Sequence, residues 1–390
     1  MAMQIPSSIL TLHPEHGRGN FTLKGRSRAG DGTTFILQEL KWMFDMGAVV
    51  QQGVPNVVFL THTHSDHITF MPQILTDDQR HTDVYLPAKA LPFVEKFLNS
   101  YQEMIDCGEE IEDTKNGAKN YTLHPLEFGD VFDLTMKGTK YKVTALKCHH
   151  RIDCLGFSIF QSVKKLKPEY QGLEGREIGN LRKQGIDCHD VEEIPFLCYL
   201  GDTTHAVFEN HPEILDQHKF IVVECSFFCD KTRENAKKTR HMHWEDLKPI
   251  VESHPDILFI LIHFSLRYSA LDVRKFFATA TTTHNVHPMI VEAEIRRNFA
   301  RDRNVPVPHC DCFHCGHDRK QHISKQDENS TSTGPIENAL PAKKMIQEDK
   351  KKHKWNRQRR NRTNGRENKS ADSEKRGPNI TRNHKAHQNT

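Results

Sequence analysis

No apolar run in this 390-residue chain is long enough to span a bilayer, which excludes a helical membrane-spanning role. The opening stretch, MAMQIPSSILTLHPEHGRG, lacks a basic segment followed by a long apolar core, so it does not read as a secretory signal. Without such a signal, ten cysteines in a chain of this length point to a reducing intracellular setting in which disulfides are not expected. An internal repeat is also missing, and so is a strong net charge, which is only +3. That near-balance hides an uneven distribution. From Asp318 onward there are 19 Lys or Arg against 9 Asp or Glu, leaving a mildly acidic body and a strongly basic tail.

The body carries short apolar runs separated by turn residues and longer helical stretches. VVFL (57–60), FLCYL (196–200), FIVV (220–223) and ILFILI (257–262) suit strands buried on both faces. AKALPFVEKFLNSYQEMI (88–105) and HWEDLKPIVESH (243–254) have the longer period of helices. The expected class is α/β layers. Each of the four strands runs into a side chain able to hold a metal or a proton: His62, Asp202, Glu224 and His263. Such an arrangement would gather those groups at one edge of the sheets. From Asp318 to Thr390 apolar residues thin out, a composition that cannot offset chain entropy and reads as a disordered basic tail.

The densest chemistry lies in FLTHTHSDHI (59–68). His is common here, 26 in all, so solvated imidazoles are the plain alternative. The spacing favours a metal site. His62 and His64, two positions apart at a strand end, can face one cation, and Asp66 and His67, displaced into the following turn, can face a second. Two divalent ions about 3.5 to 4 Å apart can activate a bridging water and stabilise charge developing on a phosphoryl group.

THTHSDH resembles the signature of the metallo-β-lactamase fold. MFDMG (43–47), CHHRIDCLGF (148–157), LGDTT (200–204), VECSFF (223–228), RHMHWEDL (240–247) and LIHFSLRY (261–268) follow in the order of ribonuclease Z, the enzyme that trims tRNA 3′ ends. The likeness is greatest to the short eukaryotic form and covers roughly residues 20 to 300. It implies an αββα sandwich over residues 1–300, with a short inserted arm at 163–191. It further implies that His62, His64 and His150 hold one zinc, that Asp66, His67 and His263 hold the other, and that Asp202 bridges them; manganese or another divalent ion is compatible with the same donors. Asp66 is also implied to orient or deprotonate the attacking water. His149 competes with His150, and the interval to Gly156 favours His150. The resemblance casts Glu224 and His241 as a relay that protonates the leaving oxygen, a task suited to histidine because its free pKa is about 6.5. Arg240 stands where the family commonly has Gly, and His243 is a nearby substitute for His241. Ser265, Arg267 and Tyr268 match the family, with a structural ion pair as the alternative role for Arg267.

The implied activity is removal of the 3′ trailer from precursor tRNA by metal-hydroxide attack on a phosphodiester, leaving a 3′-hydroxyl. The implied assembly is a homodimer without membrane contact, acting in nucleus or cytoplasm. The alternatives are a hydrolase of another phosphodiester or ester on the same fold, and an inactive RNA-binding relative. In the arm, Lys164, Lys165, Lys167, Arg176, Arg182 and Lys183 are candidates for phosphate contact and Tyr170 for stacking, against a solvated surface hairpin. KKKHKWNRQRRN (350–361) suits RNA, nuclear import or a solubilising tail. His309, Cys310, Cys312, His314, Cys315 and His317, within a Cys/His-rich segment (301–317), read as a small zinc site or an oxidation-prone loop.

Overall fold

A computed structural model describes residues 8–291 apart from 15, 16, 18, 51–53, 76–79, 106 and 108–119. These lie in the first of two units into which the chain divides, Met1–Ser324 and Lys325–Thr390. The Cys/His segment and the basic tail fall outside the described residues.

Two sheets face each other. The first has the order β1 (Ser8–Leu12), β2 (Phe21–Ala29), β3 (Gly32–Leu37), β4 (Trp42–Phe44), β5 (Val57–Phe59), β6 (Thr82–Pro87), β7 (Tyr121–Leu126). It is antiparallel from β1 to β4 and parallel from β4 to β7. The second contains β8 (Val131–Met136), β9 (Thr139–Cys148), β10 (Cys154–Leu166), β11 (His189–Tyr199), β12 (Phe220–Glu224), β13 (Leu258–Ile262) and, beyond β14 (Phe264–Ser265), β15 (Val286–Pro288). Here β8 to β11 are antiparallel, and β11, β12, β13 and β15 are parallel. Strand β14 crosses to the first sheet and pairs with β2 through Phe264 and Arg28.

The inner faces of the sheets share one apolar layer that includes Trp42, Phe44, Phe59, Phe157 and Tyr199. Phe44 stacks on Tyr199 at 4.2 Å and 13°. Burying side chains of this size stabilises the fold by about 2 to 3 kcal/mol each, which commits both sheets to one register. On the outer face of the first sheet, α1 (Ser65–Ile68), α2 (Met71–Leu75) and α3 (Leu91–Ile105) accompany a second cluster that includes Met71, Leu75, Val94 and Leu98. A third cluster backs the second sheet, with residues from α5 (Ala206–Asn210), α6 (Glu213–Gln217), α7 (Arg233–Thr239), α8 (Trp244–Ser253) and α9 (Ala270–Phe277). The layers run αββα.

The four apolar runs form β5, the end of β11, most of β12 and all of β13, and the two helical stretches form α3 and α8. The segment at 163–191 continues the paired β10 and β11 outward as far as Leu166 and His189, with α4 (Gly175–Lys183) at its tip. Lys165 pairs with Glu192 across this hairpin, and Arg182 lies 3.4 Å from the His189 ring. Part of the arm's positive charge is therefore engaged within the arm. Among the described residues, Cys107, Cys148, Cys154, Cys188, Cys198 and Cys225 are free thiols.

Candidate metal centre

All seven expected metal donors meet at one end of the sandwich, where the loops after β5, β9, β11 and β13 face one another. One group of donor atoms comprises His62, His64, His150 and Asp202, and another Asp66, His67 and His263; within each group the donor atoms lie within 4.8 Å of one another. Asp202, Glu224, His241 and His263 form a third such group.

The first group is held by its own nitrogens facing inward. His62 Nε2 and His150 Nε2 each lie 3.1 Å from His64 Nδ1. In the second, His67 Nε2 lies 3.3 Å from His263 Nε2 and Asp66 Oδ2 lies 3.3 Å from that same atom. Asp202 offers one oxygen to each group: Oδ2 is 3.5 Å from His62 Nε2, and Oδ1 is 3.5 Å from both His67 Nε2 and His263 Nε2. A carboxylate so placed is suited to bridging two cations.

The opposite ring nitrogens show which tautomers the fold selects. His67 Nδ1–H donates to Asp45 Oδ2 at 2.9 Å, and His150 Nδ1–H donates to the Arg240 carbonyl at 3.0 Å. His62 Nδ1 is 3.0 Å from Thr61 Oγ1, whose own proton goes to Asp45 Oδ1 at 2.9 Å. His263 Nδ1 is 3.0 Å from Ser226 Oγ, which donates to Glu224 Oε2 at 2.5 Å. Four imidazoles thus spend their N–H outward and turn a bare lone pair inward, as metal-binding histidines do. Tetrahedral zinc with Zn–N bonds of 2.0 to 2.1 Å has ligand–ligand edges of about 3.3 Å. The nitrogen separations match that edge, and the donor set fits two divalent ions.

The electrostatics agree in the first donor group and differ at His67. Burial lowers the proton affinity of His62 strongly, lowers that of His150, and brings the pKa of His64 to about 4, keeping these rings neutral. For His67, burial acts in the same sense but is overcome by the carboxylates of Asp202 and Asp45, which raise its pKa well above the ordinary value. Asp202 and Asp66 are both disfavoured as anions by burial, yet neighbouring histidines hold both below the usual carboxylate range. The pocket supports negative charge and calls for positive charge beside it.

Of the two adjacent candidates, His150 is buried and faces His64. His149 turns aside, its side chain hydrogen-bonded to Asn210 and its backbone N–H to Thr203 Oγ1 at 2.9 Å. His241 Nδ1 lies 2.8 Å from Glu224 Oε1. Burial opposes its protonation, but Glu224 raises its pKa to about 9. Glu224 is itself fully buried and also accepts from the Thr203 N–H at 2.8 Å. His243 is no substitute for His241: it caps α8 by accepting from the Glu245 N–H, and its Nε2–H donates to the Cys229 carbonyl. Arg240 has φ 54, the left-handed conformation that glycine supplies after a helix, so the turn survives the departure from Gly. Arg267 sits over the Phe227 ring at 5.7 Å, and the Tyr268 hydroxyl lies near the backbone N–H groups of Phe228 and Cys229 at 3.4 and 3.3 Å.

Asp45, inside MFDMG, has no local sequence feature that marks its role. Asp45 is buried with φ 58, and besides His67 it accepts from the Thr61 N–H at 2.8 Å and the Thr61 hydroxyl. It thereby orients one ring in each donor group. Gly47 has an equally local reason: a Cβ there would stand 1.7 Å from the Asp66 carbonyl oxygen, so this strand end can lie against the donor turn only without a side chain.

A buried cage of imidazoles and carboxylates at the end of an αββα sandwich defines a metallohydrolase of the metallo-β-lactamase fold. No family model matches the chain. It is 30% identical over 169 residues to the nuclear ribonuclease Z of Triticum aestivum, covering 43% of this chain and 90% of that protein. It is 28% identical over 261 residues to tRNase Z TRZ1 of Arabidopsis thaliana, covering 65% of this chain and 88% of that one. Among solved structures, the short form of human tRNase Z is 17% identical with a TM-score of 0.38, covering 68% of this chain and 94% of that one. The chain belongs to the ribonuclease Z family.

Proposed function

We propose that this chain, a metal-dependent endoribonuclease, removes the 3′ trailer from precursor tRNA and leaves a 3′-hydroxyl. The observation that carries the reading is the set of inward lone pairs, each fixed by an outward hydrogen bond, around a carboxylate that faces both donor groups. His62, His64, His150 and Asp202 would hold one ion, and Asp66, His67, His263 and Asp202 the other, with zinc favoured by the imidazole-rich donors. When bound, such a pair lowers the pKa of water and neutralises charge developing on the phosphoryl group.

The remaining steps belong to the chain's own residues. Asp66 Oδ2 is steadied by the Gly30 N–H at 2.7 Å, an anchor for the carboxylate that orients the attacking water. His241, hydrogen-bonded to Glu224, carries the proton for the departing 3′ oxygen, and Glu224 keeps that ring oriented through its bonds to Thr203 and Ser226. The arm at 163–191, with exposed Lys164, Arg176 and Lys183, is read as the contact for the body of the tRNA. In the homodimer implied by the family resemblance, each arm serves the partner's centre. Action in the nucleus or cytoplasm is supported by the basic 350–361 segment; among the described residues no helix is long and apolar enough to cross a membrane.

The test compares the intact protein with His64→Ala on a 3′-extended precursor tRNA. Intact protein is expected to release the trailer and to contain close to two zinc ions per chain. The variant should lose at least about a hundredfold in rate, the scale for disrupting a metal centre. Hydrolysis of a small phosphodiester with no processing of the precursor would overturn the proposal.

A further inference from the structure

Arg240 caps the end of α7 and immediately precedes His241. Its φ of 54 is left-handed, a conformation that a residue with a Cβ resists and that glycine adopts freely. The backbone carbonyl at this position receives the His150 Nδ1–H at 3.0 Å, and glycine would offer the same carbonyl. The turn and the support of the His150 ring therefore need no side chain. What the arginine adds is a guanidinium held at a defined place, where Nη1 donates to the His150 carbonyl at 3.0 Å. That bond spends one of the five N–H groups a guanidinium carries. Arg240 is exposed, and among the described residues its side chain makes no other hydrogen bond or ion pair.

A positive charge is thus fixed by direct contact with one metal-donor residue, His150, and adjoins His241, whose ring centre is 4.8 Å from that of His150. Holding a long side chain in place costs rotamer entropy, and a disfavoured turn that keeps such a side chain at the rim of a reactive centre points to its use. Stabilising the end of α7 explains little, because Lys237 and Lys238 already place positive charge in its last turn. Bracing the His150 carbonyl leaves the other N–H groups for a ligand. A planar guanidinium matches the two non-bridging oxygens of a phosphodiester. Resting on the reading of this centre as an RNA-cleaving site, we propose that the Arg240 guanidinium binds a backbone phosphate flanking the scissile bond and so sets the register of the RNA over the metal donors.

The experiment measures trailer removal by zinc-loaded wild type, Arg240→Gly and Arg240→Lys at several salt concentrations, with the zinc content of each protein determined in parallel. The substrates are a 3′-extended precursor tRNA and two versions carrying an uncharged methylphosphonate at one or the other phosphate flanking the scissile bond. Arg240→Gly keeps the turn and the carbonyl that supports His150, so it removes the guanidinium alone. Loss of one charge-assisted phosphate contact should raise KM of the Gly variant about tenfold, with kcat within about twofold of wild type and zinc content unchanged. The slope of log kcat/KM against log salt should become shallower by about 0.7 to 0.9. The Lys variant should keep the slope and recover part of the KM. Wild type should lose about tenfold on the RNA neutralised at the contacted phosphate, whereas the Gly variant should not distinguish that RNA from the charged one. A Gly variant with KM within twofold of wild type, or with the same loss on all three RNAs, would overturn the phosphate contact and leave the RNA reading intact. So would loss of zinc and kcat with an unchanged salt slope, which would reduce the guanidinium to a brace for His150. Absence of precursor cleavage by zinc-loaded wild type would overturn both.

Discussion

Asp45→Asn tests whether one buried carboxylate sets the tautomers of both donor groups. The substitution preserves volume and leaves an oxygen able to serve Thr61, whose N–H and hydroxyl lie 2.8 and 2.9 Å from Oδ1. The new amide group then faces His67 Nδ1 across a 2.9 Å contact, so two donors oppose each other. The imidazole must move its proton to Nε2, where it points at Asp202 Oδ1 and His263 Nε2. A charge-assisted hydrogen bond is worth about 1.5 to 3 kcal/mol, which corresponds to roughly a tenfold to hundredfold loss of metal affinity, the range seen when partners behind metal ligands are changed. Competition with a calibrated zinc chelator at pH 7 reads the effect directly. The expected result is selective weakening of the ion held by Asp66, His67 and His263. If both ions bound the variant as tightly as wild type, Asp45 would not set ring orientation.

The two adjacent histidines should separate cleanly: His150→Ala should lose at least about a hundredfold in trailer removal, and His149→Ala only a few-fold, because His149 touches Asn210 and not the cage. Gly47→Ala should destabilise the protein by about 3 kcal/mol or more in urea unfolding, since its Cβ has no room against the Asp66 carbonyl. A third expectation concerns His218, which is buried against Ser158 Oγ at 2.7 Å and whose pKa burial lowers to about 4. With an unfolded value near 6.5, its neutral burial contributes stability that is fully present above pH 6.5 and is lost as pH falls through the window from 6.5 to 4. About 2 kcal/mol should disappear between pH 7 and pH 5. His218→Gln should lose that much less over the same range, and parallel curves for the two proteins would exclude His218 as the cause.

Much of the centre was legible along the chain because its donors follow buried strands, and burial leaves a local apolar pattern. His62, Asp202, Glu224 and His263 each lie within two residues of the end of such a run, and the two sheets bring those ends together. The identity of the third histidine was less accessible. His149 and His150 are neighbours with the same local surroundings, and what distinguishes them is a carbonyl at Arg240 and a side chain at Asn210. Asp45 left a weaker trace still. Its partners lie 16 and 22 residues away, and its left-handed backbone has no sequence marker when glycine is not used.

The sequence by itself determined the class of architecture, the helices and strands that frame the centre, and the residue types that crowd it, because periodicity and spacing are properties of neighbours. Tertiary structure alone decided which nitrogen of each imidazole turns inward and how Asp202 divides its oxygens between two groups. Those outcomes depend on distances between segments as far apart as Asp66 and His263, which are set only when the two sheets close over their shared aromatic layer.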